Sequence, residues 1–154
     1  MPYQITYRSE AVCDVTDSII SDILEISKRN NAKLDITGCL IYKENFFLQI
    51  LEGEEDLVRK LYFTIKGDTR HENVETLHEG HSEERMFTKW DMAYARLNGK
   101  EGDAGKDLAL INYEFDRLKN EQANESFTYR VFWYNVKRLV SKEGFYSWEK
   151  SNLA

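Results

Sequence analysis

The chain has 154 residues, of which 42% are hydrophobic and 31% are charged, and its formal net charge is −6. This composition is typical of a globular domain long enough to bury a core, and it excludes a disordered chain. The acidic balance argues against nonspecific binding of nucleic acid, which requires clustered Lys and Arg in excess. No apolar run approaches the ~18 residues of a membrane helix, and the first residues do not resemble a secretion signal. We therefore expect a cytoplasmic protein without a membrane partner.

The first part of the chain predicts a strand, a helix and a hairpin. Residues 3–9 alternate between apolar and polar positions as a strand does. Thr16 is a suitable N-cap for a helix that continues to about residue 30. The stretch DITGCLIYKENFFLQIL then predicts strands at 36–42 and 46–51, joined by a turn at KEN.

The next part predicts a second helix and two further strands. The stretch EEDLVRKLYFTIKG is amphipathic, with acidic residues in its first turn and Gly67 as its C-terminal stop. After a loop at DTRHEN, strands are expected at about 73–80 and 88–95. The order β-α-β-β-α-β with one more strand predicts an α+β ferredoxin-like sandwich, in which two helices cover one face of a five-stranded mixed sheet.

The last third of the chain is expected to be a helical extension. Three glycines in LNGKEGDAGKD indicate a linker at 97–107, and apolar stripes predict helices at about 108–118 and 126–141. These helices could pack on the uncovered face of the sheet or on another subunit. The domain division is accordingly 1–96 for the α+β domain and 97–154 for the linker and C-terminal helices.

Several kinds of chemistry find no support. Cys13 and Cys39 lack CxxC spacing and are interpreted as free thiols. His78 and His81 would point to opposite faces of a strand, which is poor geometry for a shared zinc, so no metal is expected. No Gly-rich phosphate loop is present, and no Ser or Cys can be paired with a His as a nucleophile by its spacing.

Gln49 is the most informative residue of the predicted hairpin. On a strand over 46–51, alternation places Gln49 on the same face as Phe47 and Leu51. A buried amide without partners costs roughly 1–3 kcal/mol, so we expect specific hydrogen bonds to its side chain.

Other polar or redox-capable side chains are expected to face the same core. Each one alone is commonly an ordinary core or capping residue. A tyrosine and a glutamine that face one pocket, however, suit a planar heteroaromatic ligand held between the helices. The set comprises Tyr7, Ser27, Asn31, Gln49, Trp90 and Met92.

These residues lie within stretches that resemble the BLUF family, blue-light sensors that use FAD. The matching stretches are ITYRS, SKRNNAKLDITGCLIY, FFLQILEGE, DTRHENV and RMFTKWDMAY, in this order over residues 1–95. Asn31 stands seven residues before Gly38 of the ITG motif, as in the family. Residues 96–154 lie outside the resemblance.

The resemblance implies a ferredoxin-like fold with FAD bound noncovalently between two helices. Tyr7 would donate an electron and a proton to the photoexcited flavin. Gln49 would lie between Tyr7 and the flavin, and its amide would rearrange after excitation to give a red-shifted signalling state. Asn31 would hold the polar edge of the ring, with Ser27 nearby.

The resemblance also assigns roles to the later motifs. Arg70 and His71 match an Arg-His pair that contacts the flavin, with Asp68 as a supporting residue. Trp90 and Met92 match a pair on the last strand that carries the signal outward. Because no covalent adduct forms in this family, no cysteine is needed, and Cys39 is interpreted as a packing residue.

The chain is similar to short family members that have a sensor followed by C-terminal helices. Such a protein is not expected to be an enzyme, and its output would be a light-dependent change in contacts within a homo-oligomer or with a partner protein. Two alternatives stay open: a ferredoxin-like interaction module without flavin, and a small enzyme of the acylphosphatase type. The enzyme would need an arginine-bearing phosphate loop, for which Arg8 is the candidate.

Overall fold

The computed structural model describes residues 1–87, 93–96 and 125–141. These residues form five strands and three helices. In chain order the elements are β1 (Tyr3–Ala11), α1 (Asp17–Leu34), β2 (Thr37–Lys43), β3 (Phe46–Gly53), α2 (Glu55–Lys66), β4 (His71–His81), β5 (Ala93–Arg96) and α3 (Phe127–Ser141).

The strands form one mixed sheet in the order β4-β1-β3-β2-β5. β1 lies between β3 and β4 and is antiparallel to both. β2 is antiparallel to β3, whereas its contact with β5 is parallel. Helices connect β1 to β2 and β3 to β4, so the predicted α+β ferredoxin-like fold is confirmed.

The two faces of the sheet carry separate hydrophobic clusters. One cluster lies under α1 and α2, on what we call the helix-pair face, and the other lies under α3, on the α3 face. As the alternation predicts, Phe47 and Leu51 belong to the helix-pair face, and Leu48 and Ile50 to the α3 face. Of the two sites considered for the C-terminal helices, α3 occupies the face that the helix pair leaves uncovered.

α1 begins where the sequence predicts and ends one turn beyond the predicted end. The side chain of Thr16 accepts a hydrogen bond from the Ile19 N–H at 3.2 Å, which confirms the N-cap. The predicted end near residue 30 is wrong, because no glycine or proline interrupts the segment that follows. The helix continues until Asp35 adopts the left-handed conformation at φ 53°. Asn31 is therefore inside the last full turn of α1.

The β2–β3 hairpin has a tighter turn than the KEN motif suggests. Lys43 is part of β2, and only Glu44 and Asn45 form the connection, with φ values of 48° and 73°. Two consecutive residues with positive φ are typical of a type I′ turn, whose twist matches that of the flanking strands. This turn fixes the register that places Leu40 opposite Gln49.

β4 begins earlier than predicted and includes part of the presumed loop. The expected loop at residues 68–73 shortens to the residues before His71, because β4 pairs with β1 as far as Ala11. The register shifts between Arg8 and Glu10, and Asn73 has φ 53°, so the strand carries an irregularity where the loop was expected.

Several predictions fall on residues that are not described. The strand expected at 88–95 is described only for Ala93–Arg96. Trp90 and Met92, the linker at 97–107 and the helix at 108–118 lie outside the described residues. No helix within residues 1–87, 93–96 and 125–141 is long and apolar enough to span a membrane.

Gly38 is required where β2 passes close to β3. A Cβ at this position would lie 2.0 Å from the carbonyl oxygen of Ile50. We therefore expect Gly38→Ala to lower the free energy of unfolding by about 1–3 kcal/mol or more, measured by urea denaturation. Gly80→Ala in β4 is the control, because its Cβ would meet nothing nearer than the His78 ring at 3.6 Å. Equal midpoints for the two variants would contradict the steric argument.

Candidate functional site

A cleft of about 180 Å³ opens between α1, α2 and the helix-pair face of the sheet. Seven residues that the sequence singles out line this cleft together. They come from β1, α1, β3, the α2–β4 connection and the start of β4: Tyr7, Ser27, Asn31, Gln49, Asp68, Arg70 and His71. The two remaining candidates, Trp90 and Met92, are not among the described residues.

The other walls of the cleft are mainly apolar. α1 contributes Ile23 and Ile26, α2 contributes Leu61 and Ile65, and the sheet contributes a floor. That floor is made by Leu40, Phe47 and Leu51. Flat apolar walls with a few convergent polar groups are the usual composition of a site for a planar ligand.

Tyr7 and Gln49 form a direct pair at the base of the cleft. They are opposite each other in the β1–β3 register, and both side chains are buried. The Tyr7 hydroxyl donates a short hydrogen bond to the Gln49 Oε1. The sequence predicts specific hydrogen bonds to a buried Gln49, and this contact confirms it.

Burial controls the protonation of Tyr7. Loss of water around the phenol raises the pKa of Tyr7 far above its ordinary value of 10.0, and the neighbouring Tyr62 and Asp68 raise it further. The rings of Tyr7 and Tyr62 lie 5.0 Å apart at 34°. Tyr7 is thus a neutral hydrogen-bond donor throughout the ordinary pH range.

α1 presents two polar side chains to the cleft from successive turns. Ser27 and Asn31 are four residues apart and so share one helix face. Asn31 is 2% exposed. Its backbone carbonyl accepts the N–H of Ile36 at 2.9 Å, which fixes the exit from the helix. The buried amide is therefore held on a rigid element beside the sheet floor.

His71 is fixed by the protein through both ring nitrogens. Nε2 lies 2.6 Å from the Ile65 carbonyl, which can only accept, so Nε2 carries a proton. Nδ1 lies 2.7 Å from the Ser9 hydroxyl. The ring ties the C-terminal end of α2 to β1. A ligand in the cleft would accordingly meet the carbon edge or face of this ring.

Asp68 and Arg70 form an ion pair at the entrance. Asp68 accepts hydrogen bonds from Arg70 Nε at 3.0 Å and Nη2 at 2.5 Å, and from the Arg70 backbone N–H at 2.9 Å. The side-chain bond to Arg70 lowers the pKa of Asp68. This arrangement holds one carboxylate and one guanidinium at the rim instead of a lone positive charge.

The cleft fits the flavin that the resemblance implies. A flavin ring is planar and apolar on its faces, and one edge carries alternating hydrogen-bond donors and acceptors. The buried amides of Gln49 and Asn31 offer both donors and acceptors within apolar walls. Cys39 is buried on the opposite face of the sheet, and Cys13 does not line the cleft.

The alternative chemistries gain no support from the geometry. Arg8 forms ion pairs with Glu75 at 3.1 Å and Glu10 at 3.3 Å along the sheet. His78 contacts Thr128, and His81 lies 3.3 Å from Glu55, so the two histidines have separate partners. Among the described residues no group of three or more His, Cys, Asp or Glu is arranged to hold a metal ion.

Some lining residues were not singled out from the sequence. Asn30 and Thr64 reach the cleft beside the predicted residues. Asn30 directly precedes Asn31 and lies one position off the row that joins Ser27 to Asn31 at a spacing of four. Thr64 precedes Ile65 in the same way. The lining of a cleft between two helices is broader than one stripe from each helix.

Buried tyrosines make the stability of the fold sensitive to alkali. Burial raises the pKa of Tyr62 to about 12, whereas the unfolded chain ionises this group near 10. The unfolded state loses its proton first, so the free energy of unfolding falls as the pH rises above 10. We expect urea denaturation at pH 8 to 11 to show a shallower decline for Tyr62→Phe, by up to about 1.4 kcal/mol per pH unit. Parallel declines would contradict this assignment.

Comparison with known proteins gives the same family that the sequence stretches resemble. A sequence model of the family described as "Sensors of blue-light using FAD" matches residues 3–93. The photoactivated adenylate cyclase subunit beta of Euglena longa is 37% identical over 92 residues, which are 59% of this chain and 11% of that protein. The blue light- and temperature-regulated antirepressor BluF of Escherichia coli K12 is 33% identical over 99 residues, 64% of this chain and 25% of that protein.

A solved structure of similar size shares the fold. The dark-state structure of BlrB, a BLUF protein, has a TM-score of 0.65 and 22% identity, and the match covers 93% of this chain and 97% of that one. The chain spans only a quarter or less of the two sequence relatives described above. The family match covers more than half of the chain, and the protein therefore belongs to the BLUF family, the sensors of blue light that use FAD.

Proposed function

We propose that the hydrogen bond between Tyr7 and Gln49 is the photochemical switch of this blue-light sensor. The observation that carries the proposal is the contact of two buried side chains from adjacent strands at the base of the cleft. A tyrosine that is neutral and hydrogen-bonded can release an electron and a proton together. A glutamine amide can present either its oxygen or its nitrogen to the same neighbour.

Tyr7 and Gln49 have different roles in the proposed photochemistry. When bound, flavin absorbs blue light and becomes a strong oxidant. Tyr7 would supply an electron and a proton to the bound flavin, and the Gln49 amide would take up a new hydrogen-bond arrangement in which its oxygen and nitrogen have exchanged partners. Once the electron and the proton had returned to Tyr7, the changed amide would persist and account for a red-shifted signalling state.

The remaining polar residues hold the ring in place. Asn31 would pair with the polar edge of the flavin, and Ser27 would support it from the preceding turn of α1. Arg70 would contact the flavin at the entrance, oriented by the ion pair with Asp68. His71 would pack its ring against the ligand, because the protein uses both of its nitrogens.

We infer a noncovalent output without catalysis by this chain. Residues 1–96 would form the sensor, and 97–154 the linker and C-terminal helices. Light would change contacts within a homo-oligomer or with a downstream protein partner, by way of Trp90 and Met92. The antirepressor activity named for the Escherichia coli relative supports an output through protein contacts. Neither nucleic acid nor a membrane is proposed as a partner.

The absorption spectrum before and just after blue illumination tests the proposed function. The expected result is a flavin spectrum that shifts reversibly to longer wavelength without bleaching. A flavin that bleached would remove the Tyr7–Gln49 mechanism. A colourless protein that also failed to take up added FAD would leave the interaction module without flavin as the function of this fold.

A further inference from the structure

The α3 face of the sheet contains a carboxylate with no exposure to solvent. Glu52 follows Gln49 by three residues on β3 and is 0% exposed. Each of its two carboxylate oxygens accepts two hydrogen bonds. The four donors are Gln4 Nε2 at 3.0 Å, the Thr37 hydroxyl at 2.9 Å, the Met86 N–H at 2.9 Å and the Phe87 N–H at 2.5 Å.

This cluster joins parts of the chain that are distant in sequence. A buried carboxylate is costly unless hydrogen bonds compensate for its lost hydration, and here the four donors come from three separate parts of the chain. Gln4, Glu52 and Thr37 form one row across β1, β3 and β2 in the sheet register. Met86 and Phe87 stand immediately before the segment that leads to β5. Glu52 therefore holds the backbone of Met86 and Phe87 against this row of the sheet.

Gln4 extends the cluster to the start of α3. While Gln4 Nε2 donates to Glu52, its Oε1 accepts the Ser126 hydroxyl at 2.5 Å. The same Ser126 oxygen accepts the Tyr129 N–H at 3.0 Å, which is the geometry of an N-cap. A chain of three hydrogen bonds thus runs from Glu52 to the first turn of α3.

Arg85 extends the cluster toward α1. Its Nη1 donates to the Thr37 hydroxyl at 3.1 Å, and its Nη2 donates to the Asp35 carbonyl at 2.7 Å. Asp35 is the C-cap of the helix whose last turn carries Asn31. The loop before residues 88–92 is thereby held to the end of the helix that lines the cleft.

The strand pairing explains how the two faces can communicate. Tyr7 pairs with Gln49 on the helix-pair face, and Gln4 pairs with Glu52 on the α3 face, within the same two strands. The pairs are three residues apart along the strands. A change in how β3 sits against β1 at Gln49 therefore displaces Glu52 relative to Gln4.

We propose that Gln4 is a positioning residue that couples the β1–β3 pair, through its bond to Glu52, to the N-terminus of α3, through its bond to Ser126. In light, this coupling would carry the rearrangement at Gln49 to α3, a step that rests on the proposed function. In darkness, it sets the strength of the α3 N-cap whether or not flavin responds. This route uses side chains other than those of Trp90 and Met92.

Two variants of the full chain distinguish coupling to α3 from the loss of one hydrogen bond to Glu52. Gln4→Leu and Thr37→Val each remove one side-chain donor to Glu52, but only Gln4 contacts Ser126. Hydrogen exchange of the Tyr129 amide is followed by NMR in darkness. We expect exchange to be roughly five- to tenfold faster in Gln4→Leu, the size of a weakened N-cap, and nearly unchanged in Thr37→Val.

The same amide is then followed under blue light. The parent and Thr37→Val should show a light-induced change in Tyr129 exchange, whereas Gln4→Leu should lose it and keep its full absorption shift. Equal behaviour of the two variants, or no effect of Gln4→Leu in darkness, overturns the coupling. A parent protein with no absorption shift would refute the proposed function instead, and the dark comparison would still decide the role of Gln4.

Discussion

The Gln49→Leu protein is expected to bind flavin and to show no light-induced shift of its absorption to longer wavelength. Leucine fills a similar volume on the helix-pair face, so the cleft keeps its shape. It offers neither the oxygen that accepts the Tyr7 hydroxyl nor an amide donor, and no alternative hydrogen-bond pattern remains. The measurement is the light-minus-dark difference spectrum of the purified protein, together with its flavin content.

Gln4→Leu is the matched control for this experiment. It replaces the other buried glutamine of the β1–β3 pair, but on the opposite face of the sheet, and it removes a hydrogen bond of 3.0 Å to Glu52. We expect the control to keep the whole shift. A full shift in Gln49→Leu would show that the flavin responds without this amide, and the proposed switch would then be wrong.

The helix-pair face could be predicted because alternation in the strands is strict. Phe47, Gln49 and Leu51 fall on one face by period alone, and the structure places all three in the cleft. Periodicity does not say what a buried Gln49 contacts. Its partner Tyr7 is 42 residues away, and their pairing depends on a strand register that the hairpin turn and the sheet order establish together.

The alternation of β3 continues as far as Glu52, beyond the predicted end of the strand. Extending the pattern of Leu48 and Ile50 by two residues places Glu52 on the α3 face, where it is buried. The predicted strand ends at residue 51, one position before Glu52, and a carboxylate is rarely buried. Its four donors come from residues 4, 37, 86 and 87, and no local pattern connects these positions.

For His71, a sequence motif predicts the position of the residue but not which of its atoms are available to a ligand. The resemblance places His71 at the flavin, and the structure does bring its side chain to the cleft. The contacts with Ser9 and Ile65 that occupy both nitrogens arise from packing between α2 and β1. A motif can thus identify the position of a residue in the site, while the atoms available to a ligand follow from tertiary contacts.

The Tyr7→Phe protein is expected to retain flavin but to lose the photochemical response completely. Phenylalanine keeps the ring that packs 5.0 Å from Tyr62, so the base of the cleft stays filled. It lacks the hydroxyl proton and is much harder to oxidise than a phenol. Because burial raises the pKa of Tyr7, the parent residue is protonated at any working pH and does not lose its proton before it is oxidised. Flavin fluorescence should therefore be brighter in the variant, and the light-minus-dark spectrum should be flat.

Tyr62→Phe distinguishes the hydrogen-bonded tyrosine from its neighbour. Tyr62 is a second buried phenol in ring contact with Tyr7, but its hydroxyl bonds to Thr76 at 2.7 Å instead of to Gln49. If the direct bond to Gln49 determines which tyrosine is the electron donor, Tyr62→Phe keeps the light-induced absorption shift and its flavin stays weakly fluorescent. A shift that survives in Tyr7→Phe and disappears in Tyr62→Phe would assign the donor to Tyr62. Loss of the shift in both variants would mean that the two rings act as one donor, with the proton leaving through the Tyr7–Gln49 bond.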